Sequence, residues 1–224
     1  QEKIFLNNMF KLALGTAQFG FNYGIANNSG QIKFTEAKKI LQLAKNENIH
    51  LIDTAANYGN SEKIIGDIGI QNFKVVSKLP EIPLDCKDID LWVEETVRSS
   101  LKLLKIQSLY GLLIHKPETL LKKSGKKLIK ALNKIKSIGL VKKIGVSVYD
   151  PSECDKLMKF ENFDIVQAPL NLIDRRFVKS GCLLKLHRQN VEIHIRSIFL
   201  QGLLLMPRNR IPKKFNLWFD TWDK

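Results

Sequence analysis

Short apolar runs alternate with amphipathic stretches along the whole chain. Seven such runs are rich in Val, Ile and Leu and end at Gly, Pro or polar residues, which is typical of buried strands. Between the runs, apolar residues recur at three- and four-residue spacing, as in helices that pack one face against a sheet. The predicted strands cover residues 12–16, 51–54, 74–78, 109–115, 143–148, 164–168 and 192–198.

Capping residues and helix breakers support helices in the intervals. The predicted signals are Thr35 as an N-cap, Asn60 or Ser61 as the next N-cap, Asp88 at a third helix start, Gly139 after a helix over 126–138, Pro151 in a first turn, and a helix over 181–189.

Seven β–α steps without a long break predict a parallel barrel or a doubly wound sheet. The segment after the first strand, Gly15 to Gly20, lacks the G-x-G-x-x-G pattern of doubly wound dinucleotide-binding folds. A parallel barrel has eight units. We therefore expect one incomplete barrel domain over residues 1–224, a fragment without the eighth β–α unit.

An incomplete barrel has two unpaired strand edges. We expect an open gap between the first and seventh strands rather than a seven-stranded closure. Unpaired edges promote aggregation, so poor solubility or partial folding is predicted for the isolated chain.

Four polar residues each follow an apolar run: Asp53, Tyr58, Lys78 and His115. In a parallel barrel, such residues converge at the carboxyl ends of the strands, where catalytic groups lie. An ammonium group beside a phenol favours the phenolate and so eases release of the phenolic proton. A carboxylate can hold the ammonium in place, and a neutral imidazole can orient a carbonyl oxygen. The four residues therefore indicate a site that protonates a carbonyl oxygen during reduction, with hydride from a nicotinamide cofactor.

Composition limits the other possibilities. The net charge is +14, but the Lys residues fall at polar positions of amphipathic stretches, which favours solvated helix faces over a nucleic-acid or membrane partner. No apolar run approaches the roughly 20 residues of a membrane span. Cys86, Cys154 and Cys182 lie far apart, which predicts neither a metal site nor a disulfide framework and is typical of a cytoplasmic protein.

Seven motifs in order resemble the aldo-keto reductase family. They are LALGTAQFG, DTAANYG followed by Ser61-Glu62, VVSK, LLIHKP, KKIGVSVYD, VQAPLNLIDRR and IRSIFLQGLL. The resemblance covers nearly the whole chain and implies a (β/α)8 barrel that binds NADP(H), or NAD(H), and reduces small carbonyl compounds. By the same resemblance, Tyr58 is the expected proton donor, Lys78 and Asp53 tune it, and His115 orients the carbonyl group.

The resemblance also implies a cofactor site. Ser147 and Gln167 would bind the nicotinamide carboxamide, and the loop after the seventh strand would bind the pyrophosphate. Arg196 stands where many members have an aromatic residue, and its planar guanidinium group could stack on the nicotinamide. The residues expected to bind cofactor are Gly15, Thr16, Asp53, Ser147, Gln167, Arg196, Ser197, Leu200, Gln201 and Gly202.

Other interpretations of the same residues remain open. Lys78 could be the Schiff-base nucleophile of a barrel aldolase. The chain could also be a non-catalytic, cofactor-sensing barrel. Phe19 and Tyr23 could flank a substrate, and Trp218 and Trp222 could line a pocket or pack in the core.

Overall fold

A computed structural model describes residues 12–219. Its centre is one parallel sheet of seven strands whose order follows the sequence. Every neighbouring pair is parallel, as expected for repeated β–α units. The strands are β1 (Leu14–Gly15), β2 (Leu51–Asp53), β3 (Lys74–Leu79), β4 (Leu109–Ile114), β5 (Val141–Ser147), β6 (Ile165–Pro169) and β7 (Glu192–Arg196).

Helices follow the strands and cover one face of the sheet. They are α1 (Ala17–Gly20), α2 (Phe34–Asn46), α3 (Ser61–Ile68), α4 (Ile89–Leu104), α5 (Gly125–Ser137), α6 (Pro151–Phe160), α7 (Arg176–Lys179) and α8 (Cys182–Arg188). Short 3₁₀ turns lie at Pro117–Leu121, Leu203–Leu205, Arg208–Arg210 and Lys213–Trp218. Within residues 12–219, no helix is long and apolar enough to span a membrane.

Three of the predicted helix signals are confirmed. The Asp88 carboxylate accepts a hydrogen bond from the Leu91 amide at 3.1 Å and caps α4. Gly139, which follows the C-cap Ile138 of α5, has φ of +80°. Pro151 is the first residue of α6.

Of the other two capping predictions, that for Thr35 is wrong and that for Asn60 is confirmed in position. Helix α2 begins at Phe34, so Thr35 lies inside its first turn, and the N-cap Lys33 makes no side-chain capping bond. Asn60 is the N-cap of α3 but makes no side-chain capping bond either. The Ser61 hydroxyl is instead used in a buried contact beside the candidate site.

The sheet stays open between β1 and β7, which do not pair with each other, as expected. The loops that follow these strands nevertheless meet. The amides of Ile25 and Ala26 donate to the carbonyl oxygen of Gln201 at 3.0 and 3.2 Å. A Cβ atom at Gly202, where φ is +87°, would lie only 2.6 Å from Ala26 Cβ, so this contact needs glycine.

A charged cluster lies at the amino-terminal ends of the strands. The Tyr110 hydroxyl donates to Glu192 Oε2 at 2.7 Å, and Lys143 contacts the same carboxylate. His194 Nε2 lies 2.7 Å from Glu192 Oε1. These bonds hold the pKa of Glu192 down at about 2, mainly through His194. Because the cluster joins β4, β5 and β7, it links strands that are distant in sequence.

Candidate active site

The carboxyl ends of the strands surround a cavity of about 510 Å³. All the predicted site residues line it except Leu200. Other residues, which the sequence did not predict, also line the cavity. They include Gln18, Tyr149 and Phe199. The (β/α) repeat thus brings together groups from seven separate segments, as the strand-end pattern predicts.

Lys78 and Asp53 form an ion pair at the bottom of this cavity. Lys78 Nζ lies 2.7 Å from Asp53 Oδ2 and 2.9 Å from the Thr54 carbonyl oxygen. Lys78 is only 2% exposed. A buried ammonium group needs such acceptors because water no longer solvates it. The two contacts fix the Lys78 side chain in position.

Tyr58 lies beside this pair. Lys78 Nζ is 4.9 Å from the centroid of the Tyr58 ring. Lys78 lowers the pKa of Tyr58, as expected, but burial of the phenol has the larger effect and the net direction is upward. Lys78 therefore acts in the expected direction on the pKa of Tyr58. The expectation that Tyr58 is a stronger acid than a free phenol is wrong, because desolvation outweighs the effect of Lys78.

His115 completes the group. Its ring centroid lies 6.0 Å from that of Tyr58, with the two planes at 77°. Burial, followed by the nearby Lys78 charge, lowers the pKa of His115 to about 4. The imidazole is therefore neutral near pH 7, as the sequence-based mechanism requires.

Ser147 and Gln167 lie on the adjoining wall and are buried. Gln167 Nε2 donates to Asp53 Oδ1 at 2.8 Å, and the Ser147 hydroxyl donates to Gln167 Oε1 at 3.2 Å. Asp53 therefore accepts from Lys78 on one oxygen and from Gln167 on the other. Gln167 retains a second N–H and a second lone pair for a ligand.

The loop after β7 has an unusual backbone. Leu200, Gln201 and Gly202 have successive φ values of +46°, +58° and +87°. The Gln201 and Gly202 amides have no acceptor within residues 12–219. Successive amides in such a conformation form a concavity that favours anions. The Leu200 side chain does not line the cavity.

Arg196, at the end of β7, is held against the segment that follows β5. Its Cζ lies 4.1 Å from the Tyr149 ring centroid, and Nη2 donates to the Val148 carbonyl oxygen at 3.0 Å. A cation–π contact of this kind is favourable for guanidinium groups. The sequence did not identify Tyr149, since an exposed Tyr after a strand carries no distinctive signal.

Thr16, a predicted cofactor-binding residue, also belongs to a buried set of hydroxyl groups behind the site, and the sequence did not predict this set. The Thr16 hydroxyl donates to the Asp53 carbonyl oxygen at 3.0 Å, and the Ser61 hydroxyl donates to the Thr16 carbonyl oxygen at 3.0 Å. Thr54 Oγ1 lies 3.2 Å from Ser61 Oγ. All three side chains are fully buried. They join the ends of β1 and β2 to the start of α3, and the only sequence signal was three hydroxyl residues near predicted strand ends.

The loops after β1 and β2 make an unusually close contact beside Tyr58. A Cβ atom at Gly20 would lie 1.6 Å from the Tyr58 carbonyl oxygen. A Cβ atom at Gly59, where φ is +52°, would lie 2.4 Å from the Gly20 carbonyl oxygen. Both positions therefore need glycine, and together they fix the backbone of Tyr58.

The remaining aromatic candidates differ in whether they line the cavity. Phe19 is 2% exposed and belongs to the hydrophobic core, so the hypothesis that it flanks a substrate is wrong. Tyr23 lines the cavity. Trp218 is exposed and does not line it. Trp222 lies outside the described residues.

Within residues 12–219, no group of three or more His, Cys, Asp or Glu residues could hold a metal ion.

Tyr58, Lys78, Asp53 and His115 thus lie at the carboxyl end of a parallel sheet of β–α units, where the active sites of barrel enzymes are found. The sequence model of the aldo/keto reductase family matches residues 11–218. The chain therefore belongs to the aldo/keto reductase family, whose members include reductases and dehydrogenases.

Solved structures support the fold. A Pseudomonas aeruginosa protein assigned to the aldo-keto reductases is 26% identical, with a TM-score of 0.69, over 83% of this chain and 72% of its own. The glycerol dehydrogenase of Gluconobacter oxydans is 25% identical, with a TM-score of 0.68, over 92% and 65%. The holo form of a Bacillus halodurans aldo-keto reductase shares the fold at 19% identity, with a TM-score of 0.71, over 91% and 66%.

The chain thus spans 65% to 72% of the length of these structures. A comparison with curated protein sequences finds no match.

Proposed function

We propose that this chain reduces an aldehyde or ketone to an alcohol, with hydride from a nicotinamide dinucleotide and a proton from Tyr58. The observation that carries the proposal is the buried Lys78–Asp53 pair, with Nζ 2.7 Å from the carboxylate and 4.9 Å from the Tyr58 ring. A buried ion pair beside a phenol has a clear use in proton transfer, because the positive charge stabilises the phenolate that remains.

In this mechanism the substrate oxygen lies between Tyr58 and His115. Neutral His115 donates a hydrogen bond to the carbonyl oxygen and orients it. Tyr58 Oη gives up its proton as the oxygen becomes negatively charged, and Lys78 stabilises the resulting phenolate. Burial raises the pKa of Tyr58, so the Lys78 charge is needed to limit that increase.

The residues on the cavity wall fit a nicotinamide dinucleotide. Ser147 and Gln167 would bind a carboxamide, since one N–H and one lone pair of Gln167 remain available. The loop of Ser197, Gln201 and Gly202 would bind a pyrophosphate through its left-handed backbone and through the Gln201 and Gly202 amides, which lack an acceptor within residues 12–219. When bound, the nicotinamide supplies the hydride, which no side chain can supply. The substrate is proposed to be a small carbonyl compound.

The contacts of Lys78 argue against a Schiff-base aldolase. A nucleophilic lysine must be neutral, and such lysines lie in apolar pockets or beside other cations. Lys78 instead donates to a carboxylate and a carbonyl oxygen, so it lies in neither kind of environment.

The proposal is tested by mixing the protein with NADPH or NADH and a reactive aromatic aldehyde. Loss of the cofactor absorbance should match formation of the corresponding alcohol in equal amounts. A parallel reaction with borohydride and the aldehyde tests the aldolase alternative. Cofactor binding without oxidation would reject the reductase and favour a cofactor-sensing barrel, whereas covalent capture on Lys78 would favour the aldolase.

A further inference from the structure

The positive charges of the side chains that line the cavity outnumber the negative charges. Among the residues that line it, the charged ones are Asp53, Lys78 and Arg196, because His115 is neutral near pH 7. Asp53 and Lys78 neutralise each other at 2.7 Å. The side chains of residues 12–219 that line the cavity therefore carry a net charge of +1, and Arg196 is its source.

Arg196 cannot easily move its charge away. Its guanidinium group is held by the Tyr149 ring and by the Val148 carbonyl oxygen. It also contacts the Ser197 hydroxyl at 3.4 Å. These partners are neutral, so they fix the group without cancelling its charge.

No carboxylate within residues 12–219 forms an ion pair with Arg196. Asp174 is close enough for Arg196 to lower its pKa, but both of its oxygens already accept from Arg176 at 2.9 Å. Arg196 also contributes to the low pKa of His115, which places its charge within electrostatic range of the reacting groups.

A nicotinamide carboxamide bound by Ser147 and Gln167, as proposed above, would place its ring near Arg196, which donates to the carbonyl oxygen of Val148, the residue after Ser147. The two oxidation states of nicotinamide differ in charge at that position. The oxidised ring is a cation, and the reduced ring is neutral. The phosphate groups of the dinucleotide contribute similarly in both states, so the difference in affinity reports the environment of the ring.

We propose that Arg196 makes this cavity select the reduced cofactor and favour release of the oxidised one, so that the site is biased towards carbonyl reduction. Tyr149 is the positioning residue that holds Arg196 in place. This inference rests on the proposed function. Two like charges that share a cavity of this size at an effective dielectric constant near 20 change an affinity by roughly tenfold.

The test is to measure dissociation constants of NADPH and NADP⁺ by calorimetry for wild type, Arg196→Met, Arg196→Gln and Arg196→Lys. Wild type should bind NADPH about tenfold more tightly than NADP⁺. The Met and Gln variants should lose this preference, and Lys should retain it to within about threefold because the charge is kept. Either neutral variant suffices if the other does not fold.

Two controls distinguish an effect of Arg196 on the nicotinamide ring from an effect on the remainder of the dinucleotide or on the overall charge. Arg188→Met removes an exposed charge at the end of α8, outside the cavity, and should leave the ratio unchanged. The nicotinamide-free fragment 2′-phospho-ADP-ribose should bind Arg196→Met as it binds wild type, if Arg196 acts only on the ring.

The outcomes are distinguishable. If wild type binds both forms and the ratio is the same in the neutral variants, the inference is wrong although the proposed function stands. A selective rise in KM for a carboxylate-bearing aldehyde would then assign Arg196 to substrate binding. If wild type binds neither form, the proposed function fails and this inference fails with it.

Discussion

Lys78 Nζ donates to Asp53 Oδ2 at 2.7 Å, although 25 residues separate the two positions. The pair forms because β2 and β3 are parallel neighbours that end at the same edge of the sheet. The other Asp53 oxygen accepts from Gln167 of β6. One carboxylate thus connects the proposed proton-donor side of the cavity to the proposed cofactor side.

Tyr58→Phe should abolish carbonyl reduction and leave cofactor binding intact. The phenol is proposed to donate the proton, and a positioned acid contributes about 10²–10⁴-fold. Single-turnover oxidation of NADPH, together with NADPH titration, measures both properties. Tyr110→Phe is the matched control, since it removes a hydroxyl at the opposite end of the sheet. A Tyr58→Phe rate within about threefold of wild type would exclude Tyr58 as the acid.

Lys78→Met should also lose activity, by roughly 10²-fold or more, because the phenolate loses its nearest positive charge. Burial already raises the pKa of Tyr58, and removal of Lys78 leaves that increase unopposed. The pH dependence of the residual rate should therefore move to higher pH. An unchanged rate and pH profile would show that Lys78 only fills space.

Acidification should destabilise the protein through His115. Its pKa is about 4 in the folded chain and near 6.5 when unperturbed, so between these values the unfolded state binds more protons. The contribution of His115 to stability is complete above pH 6.5 and is lost as the pH falls towards 4. Urea unfolding at pH 7 and pH 5 measures this loss, which His115→Gln should reduce. The exposed His187→Gln is the control, and equal losses in both variants would contradict the assignment.

Glu192→Gln should lower stability without affecting the site. Glu192 accepts from Tyr110 and contacts Lys143 and His194 at the amino-terminal end of the sheet. Loss of a charge-assisted network of this kind costs about 1–3 kcal/mol in the free energy of unfolding. Denaturant titration at pH 7 measures this cost, and cofactor titration checks the site. A change in NADPH affinity without a change in stability would refute the structural role.

Gly20→Ala should displace Tyr58, because the added Cβ atom would lie 1.6 Å from the Tyr58 carbonyl oxygen. We expect a lower melting temperature and a reduction rate that falls more than cofactor affinity does. Gly15→Ala is the control for the melting temperature alone, since an added Cβ there meets nothing within 4 Å but Gly15 lines the cavity. Wild-type stability and rate in Gly20→Ala would mean that the two loops separate easily.

The sequence predicted the strands and the residues at their carboxyl ends, because short apolar runs and polar strand ends are local patterns. Asp53, Lys78 and His115 were found this way. It did not predict the Arg196–Tyr149 contact or the hydroxyl set of Thr16, Thr54 and Ser61, which depend on how distant segments meet. The net pKa shift of Tyr58 also required the structure, because burial cannot be seen in the sequence.

The close contact of Gly20 with Gly59 has a consequence for recombination between relatives. A crossover between these positions inherits the loop after β1 from one parent and the loop after β2 from the other. Such a chimera keeps Tyr58 in place only if both parents carry glycine at the corresponding positions. The two loops must therefore be exchanged together, even though a helix and a strand separate them in the chain.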